Sequence, residues 1–206
     1  MKVKVCGITG YEDAALALDN GVDALGFNFF PRSPRFINPL EARRIIDRLP
    51  PLTLCVGLFV NVPGQDEINE IARAAGVHVL QLHGDESPEY CRRLGNWPLI
   101  KAVRIGKDAM PENLDAFPVR AFLLDSKDDI LFGGTGKPFD WTRALGIKKI
   151  RPVILAGGLR PENVSEAIRI VMPYAVDVCS GVESQPGKKD PEKVKALFEN
   201  IRYLRG

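Results

Sequence analysis

The sequence predicts an α/β protein built as one closed (βα)8 barrel, and three observations carry that prediction. A short β-branched run, a Gly/Pro/Asn/Asp-containing loop and an amphipathic helix recur about every 25 residues, the signature of parallel βαβ units. Eight such units can be counted, the inventory of a closed barrel. The turn after the first strand, Cys6-Gly7-Ile8-Thr9-Gly10, lacks the G-x-G-x-x-G pattern that an open dinucleotide-binding sheet normally shows there. At 206 residues the chain is shorter than the usual barrel of about 250, so a compact TIM barrel with few insertions is expected. No linker or low-complexity tract divides it, which predicts a single domain over residues 1–206.

The elements follow in order. Strand one, Val3–Cys6, sets Lys4 and Cys6 on one face and Val3 and Val5 on the other. Helix Tyr11–Asn20 carries helix formers from Ala14 to Leu18 and stops at Gly21. Ala24–Phe27 and Thr53–Phe59 are strands two and three, separated by helix Pro39–Leu49. Helix Gln65–Ala75, strand Val77–Gln81, helix Pro88–Leu94 and strand Leu99–Val103 come next. Helix Ala109–Phe117, strand Ala121–Leu124, helix Trp141–Leu145 and strand Val153–Leu155 follow. Helix Pro161–Val171, strand Val176–Val178 and helix Pro191–Leu204 complete the count. Several helices open on Pro at an early position, where a missing N–H costs nothing.

Composition narrows the function classes. Hydrophobic residues make up 45% and charged residues 26%, ordinary for a globular chain. A net charge of +2 is too small to argue for nucleic acid or an anionic membrane. The longest strongly apolar run, Leu52 to Val60, is broken by Thr53 and Gly57 and falls short of the roughly 20 residues of a spanning helix. The N-terminal residues lack the apolar stretch of a signal peptide, so a cytoplasmic location is expected. Four cysteines without a C-x-x-C pair, and only two histidines, argue against a zinc site.

Chemistry in such barrels sits on loops at the strand C-termini. Unusual residues stand there: Cys6-Gly7-Ile8-Thr9, Phe29-Phe30-Pro31-Arg32-Ser33-Pro34-Arg35, Leu124-Asp125-Ser126, Gly133-Gly134-Thr135-Gly136-Lys137, Gly157-Gly158 and Cys179-Ser180-Gly181. The segments Lys4-Val5-Cys6-Gly7-Ile8-Thr9, Gln81-Leu82-His83-Gly84, Leu124-Asp125-Ser126, Gly133-Gly134-Thr135-Gly136, Phe139-Asp140-Trp141, Ala156-Gly157-Gly158-Leu159, Pro161-Glu162-Asn163-Val164, and Val176-Asp177-Val178 with Ser180-Gly181-Val182-Glu183 make the chain resemble the phosphoribosylanthranilate isomerase family over nearly its whole length. Cys179 stands where that family more often has Ser, and Pro138 where Thr is expected.

The resemblance implies an Amadori rearrangement in tryptophan biosynthesis, with Asp125 as general acid and Cys6 as general base. A proton must reach the furanose ring oxygen, the ring opens to a Schiff base, and the C2 proton is then removed. No electrons leave the substrate, so no cofactor is expected and metal ligands are not sought. A free thiol has a pKa of about 8.5 and needs an electropositive mouth to ionise; a carboxyl near about 3.9 needs burial or a like charge to keep its proton. Asp177 is a candidate for that like charge and for a substrate contact.

Gly157 and Gly158 after strand seven, with Ser180 and Gly181 after strand eight, occupy the usual phosphate position of barrels. Gly134 belongs to a third glycine-rich loop, read either as a phosphate or lid element or as a surface loop. Arg35 is the candidate for the substrate carboxylate, with Arg32 as its alternative. His83 either contacts substrate or satisfies a loop carbonyl; Lys137, Lys188 and Lys189 read as solvated. Partners reduce to a small phosphorylated substrate, and a homodimer is compatible with so compact a barrel.

Three rivals remain at this point. One is a Schiff-base lyase using Lys101 or Lys4. Another is a phosphosugar-binding barrel without catalysis. The third is the related sugar isomerase of histidine biosynthesis, weakened because strand one ends in Cys6 and strand five in Val103-Arg104 rather than in aspartates.

Overall fold

A computed structural model describes residues 1–105, 113–126 and 141–205. Eight parallel strands close into a barrel in sequence order: β1 (Lys2–Cys6), β2 (Ala24–Asn28), β3 (Leu54–Phe59), β4 (Val79–Leu82), β5 (Leu99–Ile105), β6 (Ala121–Ser126), β7 (Val153–Leu155) and β8 (Ala175–Val178). β8 pairs back onto β1, with Lys4 opposite Asp177 and Val5 opposite Val178. The predicted strands are all present, with ends shifted by a residue or two.

The helices pack outside. They are α1 (Tyr11–Asp19), α2 (Pro39–Ile46), α3 (Gln65–Ala75), α4 (Pro88–Arg93), α5 (Ala144–Ile147), α6 (Val164–Val171) and α7 (Pro191–Ile201). Local chemistry fixes their ends. Asn38, Ser87 and Asp190 cap α2, α4 and α7, each followed by Pro at the first helical position. α3 stops at Gly76 in the left-handed region.

Three helix expectations need correction. The predicted Pro161–Val171 helix begins only at Val164, because Asn163 folds back to accept from the Arg160 N–H and to donate to the Gly158 carbonyl. The predicted Trp141–Leu145 helix starts as a 3-10 turn, Trp141–Arg143, before α5. The predicted Ala109–Phe117 helix lies partly outside the described residues; the described part holds a 3-10 turn, Leu114–Ala116. A feature the sequence did not announce follows β8: a 3-10 turn, Ser180–Val182, then a small antiparallel hairpin of β9 (Glu183–Gln185) and β10 (Lys188–Lys189).

Period-two alternation sorts side chains into two cores. Val3, Val5, Leu25, Phe27, Phe122, Leu124, Val176 and Val178 face the helices. Ala24, Val56, Val79, Ile100, Ala102, Ala121, Leu123, Ile154 and Ala175 fill the barrel interior. Above them Cys6, Leu58 and Val60 form a small cluster at the C-terminal end, with Phe30 and Cys179 packed against it.

Candidate active site

Cys6 ends β1 and is buried under the barrel mouth. Its neighbour on β2 must be small: a Cβ on Gly26 would come within 2.8 Å of the Cys6 sulfur and 3.0 Å of the Lys4 ammonium. Lys4, one interior step below, bonds Asp177 at 2.9 Å in a buried ion pair. Burial pushes the Asp177 carboxyl up to about 7, against the pull of Lys4. Lys4 itself is raised: burial would lower it, but the charges of Asp177 and Cys6 outweigh that.

The Cys6 thiol is held well below its ordinary range. A hydrogen bond from Cys179 is the main cause, and the positive charges of Lys4 and Lys189 add to it against the cost of burial. Cys179 moves the opposite way, raised by the same hydrogen bond and by burial. The two neighbouring thiols are thus pushed in opposite directions, Cys6 down and Cys179 up. The electropositive mouth that the sequence required is supplied by these lysines.

Lys189 was expected to be solvated, and that reading is wrong. Its side chain is fully buried, with Nζ donating to the Cys6 carbonyl at 2.6 Å and to Glu183 Oε1 at 2.9 Å. The hairpin explains it: Thr9 donates to the Gly187 carbonyl at 2.6 Å, and Asp13 accepts from the Lys189 N–H at 3.0 Å. These bonds pin the hairpin over the first loop and turn Lys189 inward while Lys188 stays exposed.

Glu183 joins this network to Arg35. The Arg35 Nε and Nη2 donate to both Glu183 oxygens at 2.7–3.1 Å, fixing the plane of the guanidinium. Arg32, the alternative, is exposed and stacks over Phe30.

Asp125 is buried at the end of β6, which is separated from β1 by β7 and β8. His83 Nε2 lies 3.1 Å from Asp125 Oδ2, and His83 Nδ1 lies 2.9 Å from Gln81 Nε2. The His83 ring thus bridges the Gln81 amide and the Asp125 carboxyl. Of the two readings of His83, the loop-carbonyl one is not what the ring does: its partners are Gln81 and the proposed acid Asp125. His78 instead accepts from the Cys55 N–H within the sheet.

Gly157 and Gly158 both adopt left-handed φ, 76° and 66°. Their loop meets the one after β8 at Gly181, where a Cβ would stand 1.9 Å from the Leu159 carbonyl oxygen. Only glycine permits that approach, and it brings the two predicted phosphate loops together beside the short turn that starts at Ser180. Gly134 lies outside the described residues.

The rival nucleophiles fare poorly. Lys101 points away from the mouth: it donates to the Leu82, Gly84 and Ala102 carbonyls and pairs with Glu86 at 3.1 Å. Lys4 keeps its proton, and a protonated amine attacks no carbonyl. Among the described residues no group of three or more His, Cys, Asp or Glu side chains converges as metal ligands would.

Residues 3–200 match the family model described as N-(5'phosphoribosyl)anthranilate (PRA) isomerase. The chain is 48% identical over 205 residues to the N-(5'-phosphoribosyl)anthranilate isomerase of Syntrophus aciditrophicus, covering 100% of this chain and 89% of the relative. Its fold superposes on the crystal structure of phosphoribosyl anthranilate isomerase from Thermus thermophilus with a TM-score of 0.91, at 40% identity and with both chains fully covered. A second solved structure, a phosphoribosyl anthranilate isomerase in complex with reduced 1-(o-carboxyphenylamino)-1-deoxyribulose 5-phosphate, matches with a TM-score of 0.85 at 40% identity, covering 99% of this chain and 100% of that one.

Proposed function

The chain belongs to the N-(5'-phosphoribosyl)anthranilate isomerase family, and from that premise we infer which of its groups carry the reaction. The protein is an isomerase of tryptophan biosynthesis, converting N-(5-phospho-β-D-ribosyl)anthranilate to 1-(2-carboxyphenylamino)-1-deoxy-D-ribulose 5-phosphate. Asp125 donates its proton to the furanose ring oxygen. The C1–O bond breaks and the anthranilate nitrogen takes up the positive charge as a Schiff base. The Cys6 thiolate removes the C2 proton, the electron pair moves toward nitrogen, and the resulting enolamine tautomerises to the ketone. Electrons stay within the substrate, so we propose a reaction without a cofactor.

The observation that carries this reading is the paired treatment of the two groups. Cys6 is buried yet surrounded by a thiol donor and two ammonium groups that favour its thiolate. Asp125 is buried two strands beyond β8, with His83 Nε2 at 3.1 Å from its Oδ2. Both project from strand ends at the mouth. A base and an acid so placed contribute about 10²–10⁴-fold per proton transfer.

Gly157, Gly158, Ser180 and Gly181 take the phosphate through backbone N–H groups. Arg35 takes the anthranilate carboxylate through Nη1, the edge that Glu183 leaves open. Asp177 holds Lys4 and shapes the field at Cys6, and Gly134 remains a candidate contact by resemblance alone. One domain over residues 1–206, a homodimer and a cytoplasmic location complete the reading. Leu40, Leu52 and Leu54 are exposed around the start of α2 and β3 and suit a partner surface. No described helix is long and apolar enough to cross a membrane, and all four cysteines are free, as a reducing compartment keeps them.

The test is turnover by the purified protein with anthranilate phosphoriboside formed in place, followed by loss of anthranilate-type fluorescence, without added metal. Turnover is expected. Phosphate-dependent binding with no turnover would leave only the non-catalytic barrel.

A further inference from the structure

Cys6 and Cys179 stand side by side at the open end of the barrel. β1 and β8 run in parallel register with Val5 opposite Val178; Cys6 is the next residue on β1 and Cys179 the first residue after β8. The Cys179 side chain packs against the cluster that holds Cys6. Lys4 and Asp177, two residues back on each strand, point inward and bond at 2.9 Å, and strand side chains repeat every second residue. Cys6 lies in one small cluster with Leu58 and Val60, against which Cys179 and Phe30 pack, and a Cβ built on the intervening Gly7 would meet the Cys179 sulfur at 3.1 Å. Neighbouring strands run about 4.7–4.9 Å apart, inside the Cα separation of about 4.4–6.8 Å that a disulfide spans.

We propose that Cys6 and Cys179 form an oxidisable dithiol, converted by hydrogen peroxide to a disulfide that withdraws the Cys6 thiol from the site and restored by a dithiol reductant. The Cys6 thiolate attacks one peroxide oxygen. The O–O bond breaks, one proton is taken up, water leaves, and Cys6 becomes a sulfenic acid. The Cys179 sulfur then attacks the Cys6 sulfur. The S–O bond breaks, the Cys179 proton leaves with the hydroxide as a second water, and the S–S bond forms. Two thiols lose two electrons, and the peroxide oxygens are reduced to water.

The roles follow from the surroundings. An attacking cysteine needs thiolate character and a resolving cysteine beside it. Lys4 and Lys189 supply the first for Cys6, and Cys179 is the neighbour. Cys179 Sγ also lies 3.7 Å from Glu183 Oε1, which holds it in the site. Cys55 and Cys91 have no such setting: burial pushes their thiols up to about 12 and about 11, and both pack on the helix side of the sheet.

Loss of turnover on oxidation rests on the reading of Cys6 as the base; the cross-link itself does not. The test treats the reduced protein with peroxide, blocks residual thiols with an alkylating agent, and maps peptides by mass spectrometry without reductant. Turnover is measured on the same samples before and after dithiothreitol. The expected result is a peptide pair joining Cys6 to Cys179, lighter by two hydrogens, appearing in step with a loss of turnover of about 10²-fold that dithiothreitol reverses. Cys179→Ser should form no such pair, and its Cys6 should advance to sulfinic acid, so that reductant no longer restores that variant's own starting rate. Oxidation of Cys6 in the unsubstituted protein with no peptide pair would overturn the proposal. A peptide pair with full turnover would uphold the dithiol and overturn the reading of Cys6 as the base.

Discussion

Over the first half of its strands the barrel interior is filled by Ala24, Val56, Ile100, Ala121, Ile154 and Ala175; over the second half the same sheet, with His83 just past β4, presents Lys4, Cys6, Gln81, Asp125 and Asp177. Both regions are buried. The lower one is held by apolar packing, in which each side chain contributes through the area it removes from water. The upper one contributes little of that kind, because every charge taken from water must be offset by a partner. Lys4 has Asp177, Lys189 has Glu183, and Arg35 has Glu183 as well. The difference teaches where stability and chemistry reside: the floor fixes the strands, and the mouth uses those fixed strands to hold charges in an arrangement that water would otherwise scatter.

Substitutions can break or sharpen that contrast. The largest effect is expected at the mouth without loss of fold. Asp125→Asn keeps the shape beside His83 but removes the proton, and turnover should fall about 10²–10⁴-fold while the unfolding midpoint in urea stays close to the parent's. The converse belongs to the floor. Ile154→Ala should cost about 2–5 kcal/mol in chemical denaturation, with kcat at a temperature where the variant is folded changing by less than about twofold. A result in which Ile154→Ala abolished turnover in folded protein would erase the distinction.

Lys189→Met lies between the two classes. It removes one partner of a buried ion pair, although Glu183 keeps Arg35, so about 3 kcal/mol of stability should be lost. Turnover should fall as well, because Nζ fixes the Cys6 carbonyl and its charge favours the thiolate. The smallest change is expected from Cys179→Ala. That substitution deletes the donor that lowers the Cys6 thiol, so the Cys6 pKa should rise. The acid-side limb of kcat/KM, where protonation of the base cuts the rate, should then move to higher pH, while the rate on the plateau changes little.

The two regions were also unequally legible in the sequence. Apolar strand cores announce themselves through period-two and β-branched runs, so β3 and β6 are legible in the sequence; Cys6 and Asp125 stand out as residues ending such runs, and only the family resemblance singles them out as base and acid. Glycines after β7 and β8 pointed to loops that do meet, at Gly181 and Leu159. Lys189 was hidden because Gly187-Lys188-Lys189-Asp190 reads as a polar turn. Its burial depends on a two-residue strand whose alternation is too short to detect and on ties to Thr9 and Asp13, far away in sequence. A long-range ligand of that kind leaves no local pattern. Glu183 was visible only as part of a motif, and its link to Arg35 spans 148 residues. Gly26 looked like one more strand residue, although the room it leaves is what admits Cys6 and Lys4. Lys101, the nucleophile of the rival lyase reading, could not be placed for the opposite reason: in a strand buried on both faces, composition does not tell the inner face from the outer, and the register with Leu99 and Val103 puts it outside.

The most direct test of the account is the turnover of Cys6→Ser at saturating substrate and neutral pH. A serine hydroxyl fits the space beside Gly26 but does not ionise in this range, so the variant should bind substrate and lose about 10²-fold or more in kcat. A kcat equal to that of the unsubstituted protein would mean that proton removal at C2 belongs to another group.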